Sequence, residues 1–130
     1  MLMGQRVWIL VVIAMGGALG ALARYGLSRG LQQHSFRGFP VGTLAANMLG
    51  CLCIGVCMVW LENADPRLRD GVRIGFLGAL TTFSTYAIES LALLEKGQYV
   101  AAAGNLLGSV IGGLAAALAG IAMARTIFGP

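Results

Sequence analysis

The sequence predicts an all-α integral membrane protein of four transmembrane helices, the third broken at the bilayer midplane, assembled as an antiparallel dual-topology dimer. Three observations carry that expectation. Of the 130 residues, 58% are apolar and 11% charged, where a soluble domain carries about 25% charge and needs it to solvate its surface. The charges fall between long uncharged runs, and the basic residues divide almost evenly between the two ends of those runs. A mean hydropathy of +0.81, with 20 glycines against 3 prolines, excludes disordered, collagen-like and disulfide-scaffold classes.

The uncharged runs are Val7 to Ala23, Gly38 to Leu61, Ile74 to Ile88 and Gly97 to Ala124. A bilayer crossing takes about 17 to 25 residues. The third run is short only because Glu89 interrupts it, and one tolerated charge extends it to Leu94. The expected spans are residues 7–27, 40–61, 72–94 and 99–124, forming one four-helix membrane domain.

In the first span, Arg6, an apolar run and Ala21-Leu22-Ala23 imitate a secretory signal with a small-residue cleavage site. Gly16, Gly17 and Gly20 and the three spans that follow favour a retained helix. Arg24 closes this span, either as a snorkelling end residue or as a vestibule cation.

The second span holds Asn47, with Thr43 four residues earlier on the same face. Cys51, Cys53 and Cys57 share this apolar helix and read as small hydrophobes. A zinc site needs four ligands, and the one histidine, His34, sits in a different segment.

The third span carries most of the polar signal. Thr81-Thr82-Phe83-Ser84-Thr85 follows Gly78 and is a poor helix-forming string, so the helix should break there. In lipid, a break survives only where protein, water or an ion satisfies the freed carbonyls. The competing reading is an intact helix whose hydroxyls bond back to carbonyls three or four residues earlier. Glu89 lies three residues after Tyr86 and reads as a structural carboxylate, with a proton relay as the alternative.

In the fourth span, Asn105 and Ser109 are four apart. Asn47 and Asn105 enter their runs to the same depth, so both amides should approach the hydroxyl cluster near the midplane. The alternative is interhelical glue at about 1 kcal/mol per bond.

A 13.5 kDa chain makes a thin bundle, so a pathway is more naturally built between subunits. Gly16-x3-Gly20, Gly71-x3-Gly75 and Gly104-x3-Gly108-x3-Gly112 supply close-approach faces, within the chain or between copies. One end of the bundle carries Arg6, Arg67, Arg69, Arg73 and Arg125, and the other Arg24, Arg29, Arg37 and Lys96. A difference of one cannot orient the chain firmly, so copies should insert both ways and pair about an axis in the membrane plane; the alternative is a fixed topology set by the first helix or by a partner.

Several stretches together resemble the bacterial CrcB/Fluc fluoride channel family. They are Gly16-Gly17-Ala18-Leu19-Gly20-Ala21-Leu22-Ala23-Arg24-Tyr25, Gly42-Thr43-Leu44-Ala45-Ala46-Asn47-Met48-Leu49-Gly50, and Gly75-Phe76-Leu77-Gly78 with Thr81-Thr82-Phe83-Ser84-Thr85. The likeness spans nearly the whole chain. It implies a passive, fluoride-selective exporter of the bacterial inner membrane, a homodimer with two pores and no nucleic-acid partner. It also implies a structural sodium ion at the dimer centre, held by the backbone carbonyls of Gly78 and Thr81. The implied fluoride pore residues are Asn47, Phe83, Tyr86, Asn105 and Ser109, with Thr43, Ser84 and Thr85 beside them. Ala79 stands where the family pattern has a second glycine, and Tyr86 where phenylalanine is common.

The chemistry suits that reading. Fluoride is small and strongly hydrated, so a pore must replace its water with donors; hydroxyl and amide hydrogens do so, and aromatic edges are positive. A cation at the midplane would trap the ion, since conduction needs binding weak enough to leave. The alternative function is a proton-coupled exporter like the small multidrug transporters, whose essential glutamate lies in the first span; Val7 to Ala23 holds no acid. Neither reading is an enzyme.

Overall fold

The structure is a computed structural model and describes residues 2–33 and 38–129. His34 and Arg37 lie outside the described residues. The elements are α1 (Leu2–Gln32), α2 (Val41–Trp60), α3 (Pro66–Asp70), a π-helical segment (Gly71–Leu77), α4 (Gly78–Leu80), α5 (Phe83–Glu95) and α6 (Tyr99–Phe128). Among the described residues, four stretches are long and apolar enough to cross a membrane: Arg6–Gln32, Val41–Trp60, Pro66–Glu95 and Tyr99–Phe128. The protein is thus a multi-pass helical membrane protein. At ~1.5 Å per residue α2 is roughly 30 Å long, close to the hydrocarbon thickness.

Local chemistry sets the ends. Asp65 caps α3, its carboxylate accepting from the Arg67 N–H at 2.8 Å, and Pro66 occupies the first turn, where its missing N–H is no loss. The α5–α6 turn passes through Gly97 at φ +69°, a left-handed conformation that glycine adopts without penalty.

Two close helix pairs build the bundle. A Cβ at Gly20 would overlap the Phe76 carbonyl, and one at Gly16 the Gly71 carbonyl, so α1 lies backbone to backbone on the π-helical segment. A Cβ at Gly55 would overlap the Ala117 carbonyl and one at Gly120 the Leu52 carbonyl, which joins α2 to α6 the same way. Small residues give close approach where no hydrophobic force separates protein from lipid. Two of the three glycine motifs, Gly16-x3-Gly20 and Gly71-x3-Gly75, therefore pack on each other inside the chain. Gly104 and Gly108 of the third meet nothing within 4 Å, while Gly112 faces the Met48 sulfur.

The buried centre is Cys57, Leu61, Leu77 and Leu80, flanked by Cys53, Ile54, Val72 and Phe76. The cysteines are free thiols. Leu10, Met15, Leu22, Ile111, Leu114 and Leu118 are exposed apolar residues, as expected of a surface that meets lipid or a second chain.

Candidate functional site

Between α4 and α5 the backbone is extended at two residues, Thr81 (φ −88°, ψ 156°) and Thr82 (φ −152°, ψ 123°). The β-branched pair favours that conformation. Helical bonding stops at the Thr81 N–H, which donates to the Leu77 carbonyl at 3.1 Å; the Thr81 hydroxyl donates to the same oxygen at 3.0 Å.

Asn47 takes over at Thr82. Its Oδ1 accepts from the Thr82 N–H at 2.8 Å, and its Nδ2 donates to the Thr82 carbonyl at 3.1 Å. One side-chain amide thus satisfies both backbone groups of a residue 35 positions away. The pairing also fixes which end of the amide is oxygen, since the flipped form would set donor against donor. With the Thr82 N–H turned to Asn47, the Gly78 carbonyl four residues earlier is without its helical donor.

The hydroxyl of Thr82 then starts α5. It accepts from the Thr85 N–H at 3.2 Å, an N-cap bond. It lies 3.1 Å from the Thr85 hydroxyl and 3.3 Å from that of Ser84. The Arg24 guanidinium reaches the Thr81 carbonyl at 3.4 Å, so Arg24 points into the bundle.

A cavity of about 380 Å³ opens beside this interruption, lined by Asn47, Gly78, Thr81, Thr82, Phe83, Tyr86 and Ser109, with Arg73 among the remaining lining residues. Phe83 is 80% exposed in the single chain whereas Tyr86 is 8% exposed; their ring centroids are 5.5 Å apart. The Tyr86 hydroxyl donates to the Leu106 carbonyl at 3.4 Å, so its ring rather than its hydroxyl faces the cavity region. Ser109 Oγ is buried without a hydrogen-bond partner among the described residues.

The other polar side chains form a second group along α5. The Thr43 hydroxyl donates to Glu89 Oε1 at 2.8 Å, and Glu89 Oε2 is buried without a partner among the described residues. Asn105, 1% exposed, donates from Nδ2 to Ser90 Oγ at 2.9 Å, and the Ser90 hydroxyl donates to the Tyr86 carbonyl at 2.8 Å. Asn105 and Thr43 therefore do not line the cavity. The two amides part company because each pairs with a different place on α5: Asn47 with its N-cap, Asn105 with Ser90, roughly two turns on.

Sequence reasoning passed over two residues. Ser90 was hidden by its charged neighbour Glu89, though its spacing of four from Tyr86 carried the back-bonding signal. Arg73 was counted only as a loop charge; its place as the last charge before the uncharged run Ile74 to Ile88 was the available clue.

These features define a small multi-pass helical membrane protein in which an amide, hydroxyls and aromatic rings gather at one interrupted span. Residues 11–121 match the family described as CrcB-like protein, Camphor Resistance (CrcB). A protein of Stutzerimonas stutzeri (strain A1501) named "Fluoride-specific ion channel FluC" is 47% identical over 116 residues, covering 87% of this chain and 94% of that one. Proteins with the same name from Geobacter metallireducens and Paracoccus denitrificans are 46% identical over 119 residues and 41% over 117; each alignment takes in 89% of this chain, with 96% and 94% of the relatives. The chain belongs to the CrcB-like family.

Proposed function

We propose that this chain is a fluoride-selective ion channel that passively exports cytoplasmic fluoride and so relieves its toxicity, working in the bacterial inner membrane as an antiparallel, dual-topology homodimer with two pores. The names of the relatives support the ion and the transport class. The observation that carries the reading in this chain is the two-bond hold of Asn47 on Thr82, which keeps an interrupted span intact beside the cavity.

The residues there suit fluoride. An amide nitrogen has two hydrogens; Asn47 gives one to Thr82 and has a second to offer an anion. The buried Ser109 hydroxyl is a further donor. Phe83 and Tyr86 contribute ring edges, which carry the positive part of the aromatic quadrupole. These groups replace hydration with neutral donors, so the ion is held weakly enough to leave. Ser84 and Thr85 hold the N-cap, Thr43 and Glu89 tie α2 to α5, and Asn105 sets the position of Tyr86 through Ser90.

The reading includes a structural sodium ion at the dimer centre. Carbonyl oxygens suit a hard cation. The Gly78 carbonyl lacks a helical donor, and the Thr81 carbonyl, with two lone pairs, receives one long bond from Arg24. The donor set therefore fits, with Gly78 and Thr81 of each chain meeting across the interrupted spans. Bound there, sodium would neutralise converging carbonyl dipoles and lock the two chains together.

The test is growth. In a bacterium lacking its own fluoride exporter, expression of this chain should restore growth in millimolar fluoride. Membrane-inserted protein that gives no protection contradicts the reading.

A further inference from the structure

We propose that Arg73 is an anion-recruiting residue at the mouth of the pathway, concentrating fluoride at the cavity by its charge. The inference rests on the channel reading above and adds a residue to it.

Among the described residues, Arg73 is the one charged side chain that lines the cavity, which it shares with Asn47, Thr81, Phe83, Tyr86 and Ser109. It is half-buried and has no carboxylate partner among the described residues; Asp70, the acid nearest in sequence, lies 3.5 Å from Arg69. Its polar contact is the Met58 sulfur, which a guanidinium nitrogen meets at 3.2 Å. A thioether is a weak acceptor and a guanidinium carries five donors, so most of the binding capacity of this side chain is unspent. The contact with Met58 is exposed, so the guanidinium is within reach of an anion in solution.

Position decides what such a charge does. Arg73 precedes Thr81 by eight residues, roughly 12 Å along a helix. At that distance it attracts an anion without coordinating it at the interruption, which avoids trapping. The field of a single charge over ~12 Å of water raises local anion concentration about 2-fold at low salt, and a Debye length of ~3 Å at 1 M salt removes it. Arg24, by contrast, is already engaged with the Thr81 carbonyl.

The experiment is conductance of the full-length channel in planar bilayers at fixed low fluoride and fixed sodium, with N-methylglucamine isethionate setting ionic strength from about 10 mM to about 1 M. Arg73→Gln should lower fluoride conductance about 2-fold at the low end and leave it unchanged at the high end; Arg73→Lys should match the parent throughout. A loss in Arg73→Gln that is the same at every ionic strength, or no loss at all, overturns the role. To separate charge from folding, Arg73→Cys in a background lacking Cys51, Cys53 and Cys57 is modified after reconstitution. A cationic thiosulfonate should restore conductance and an anionic one depress it, and equal effects of the two reagents overturn the proposal. A parent channel silent to fluoride would instead sink the channel reading itself, and this role with it.

Discussion

Replacing Asn47 by alanine removes both partners of Thr82 at once: the acceptor 2.8 Å from its N–H and the donor 3.1 Å from its carbonyl. A buried polar group left unpaired costs about 1–3 kcal/mol. Thr82 is only half-buried, so water makes good part of that, and about 2–4 kcal/mol in total is a fair expectation. At roughly 3–5 °C per kcal/mol for a chain of this size, the apparent Tm in detergent should fall by roughly 6–20 °C. Fluoride efflux from liposomes should fall with it, because the interruption beside the cavity no longer has one fixed geometry. Asn47→Asp adds a charge to the same test. The carboxylate still accepts from the Thr82 N–H but sets a second acceptor against the carbonyl, so the stability loss should be at least as large as in Asn47→Ala, while a negative charge on an anion path should abolish conduction. An Asn47→Ala protein that melts within about 2 °C of the parent and conducts fully would refute the reasoning, as would an Asn47→Asp channel with undiminished flux.

Three other outcomes follow from the geometry. Tyr86→Phe should be near neutral for flux, since the hydroxyl already faces the Leu106 carbonyl, whereas Tyr86→Ile and Phe83→Ile should sharply reduce fluoride-electrode traces with the dimer still assembled. Gly20→Ala should lower the apparent Tm by several degrees, because its Cβ would overlap the Phe76 carbonyl, while Gly26→Ala, with nothing within 4 Å, should leave it unchanged or raised; circular dichroism melts compare them. Single cysteines at Gln33 and at Lys96, in a background lacking the native cysteines, should each be labelled by an impermeant maleimide to about half, the signature of insertion both ways; uniform labelling from one side is the contrary result.

The four membrane spans were legible because charge is excluded from lipid, and a 130-residue chain with so few charges leaves few places to put the loops. The helix pairings were half legible. Gly16-x3-Gly20 and Gly71-x3-Gly75 announced close approach but not to what; that they meet each other depends on how α1 crosses the third span, which local sequence does not encode. Polar side chains inside apolar spans marked Asn47, Asn105, Thr43 and Glu89 as residues needing partners, since hydrocarbon offers none. Which partner each takes was out of reach. Asn47 closes on Thr82 while Asn105 turns to Ser90, and equal depth counted along two uncharged runs ignores where each helix begins and how it tilts. Arg73 stayed hidden because a loop charge and a cavity charge look alike until the cavity is built.

Fluoride efflux from liposomes that hold only this purified chain tests the central claim most directly. With potassium fluoride and potassium chloride inside and a potassium ionophore added to clear the charge, a fluoride electrode should record rapid release while a chloride electrode stays flat. No release of fluoride, or equal release of both halides, would contradict the account.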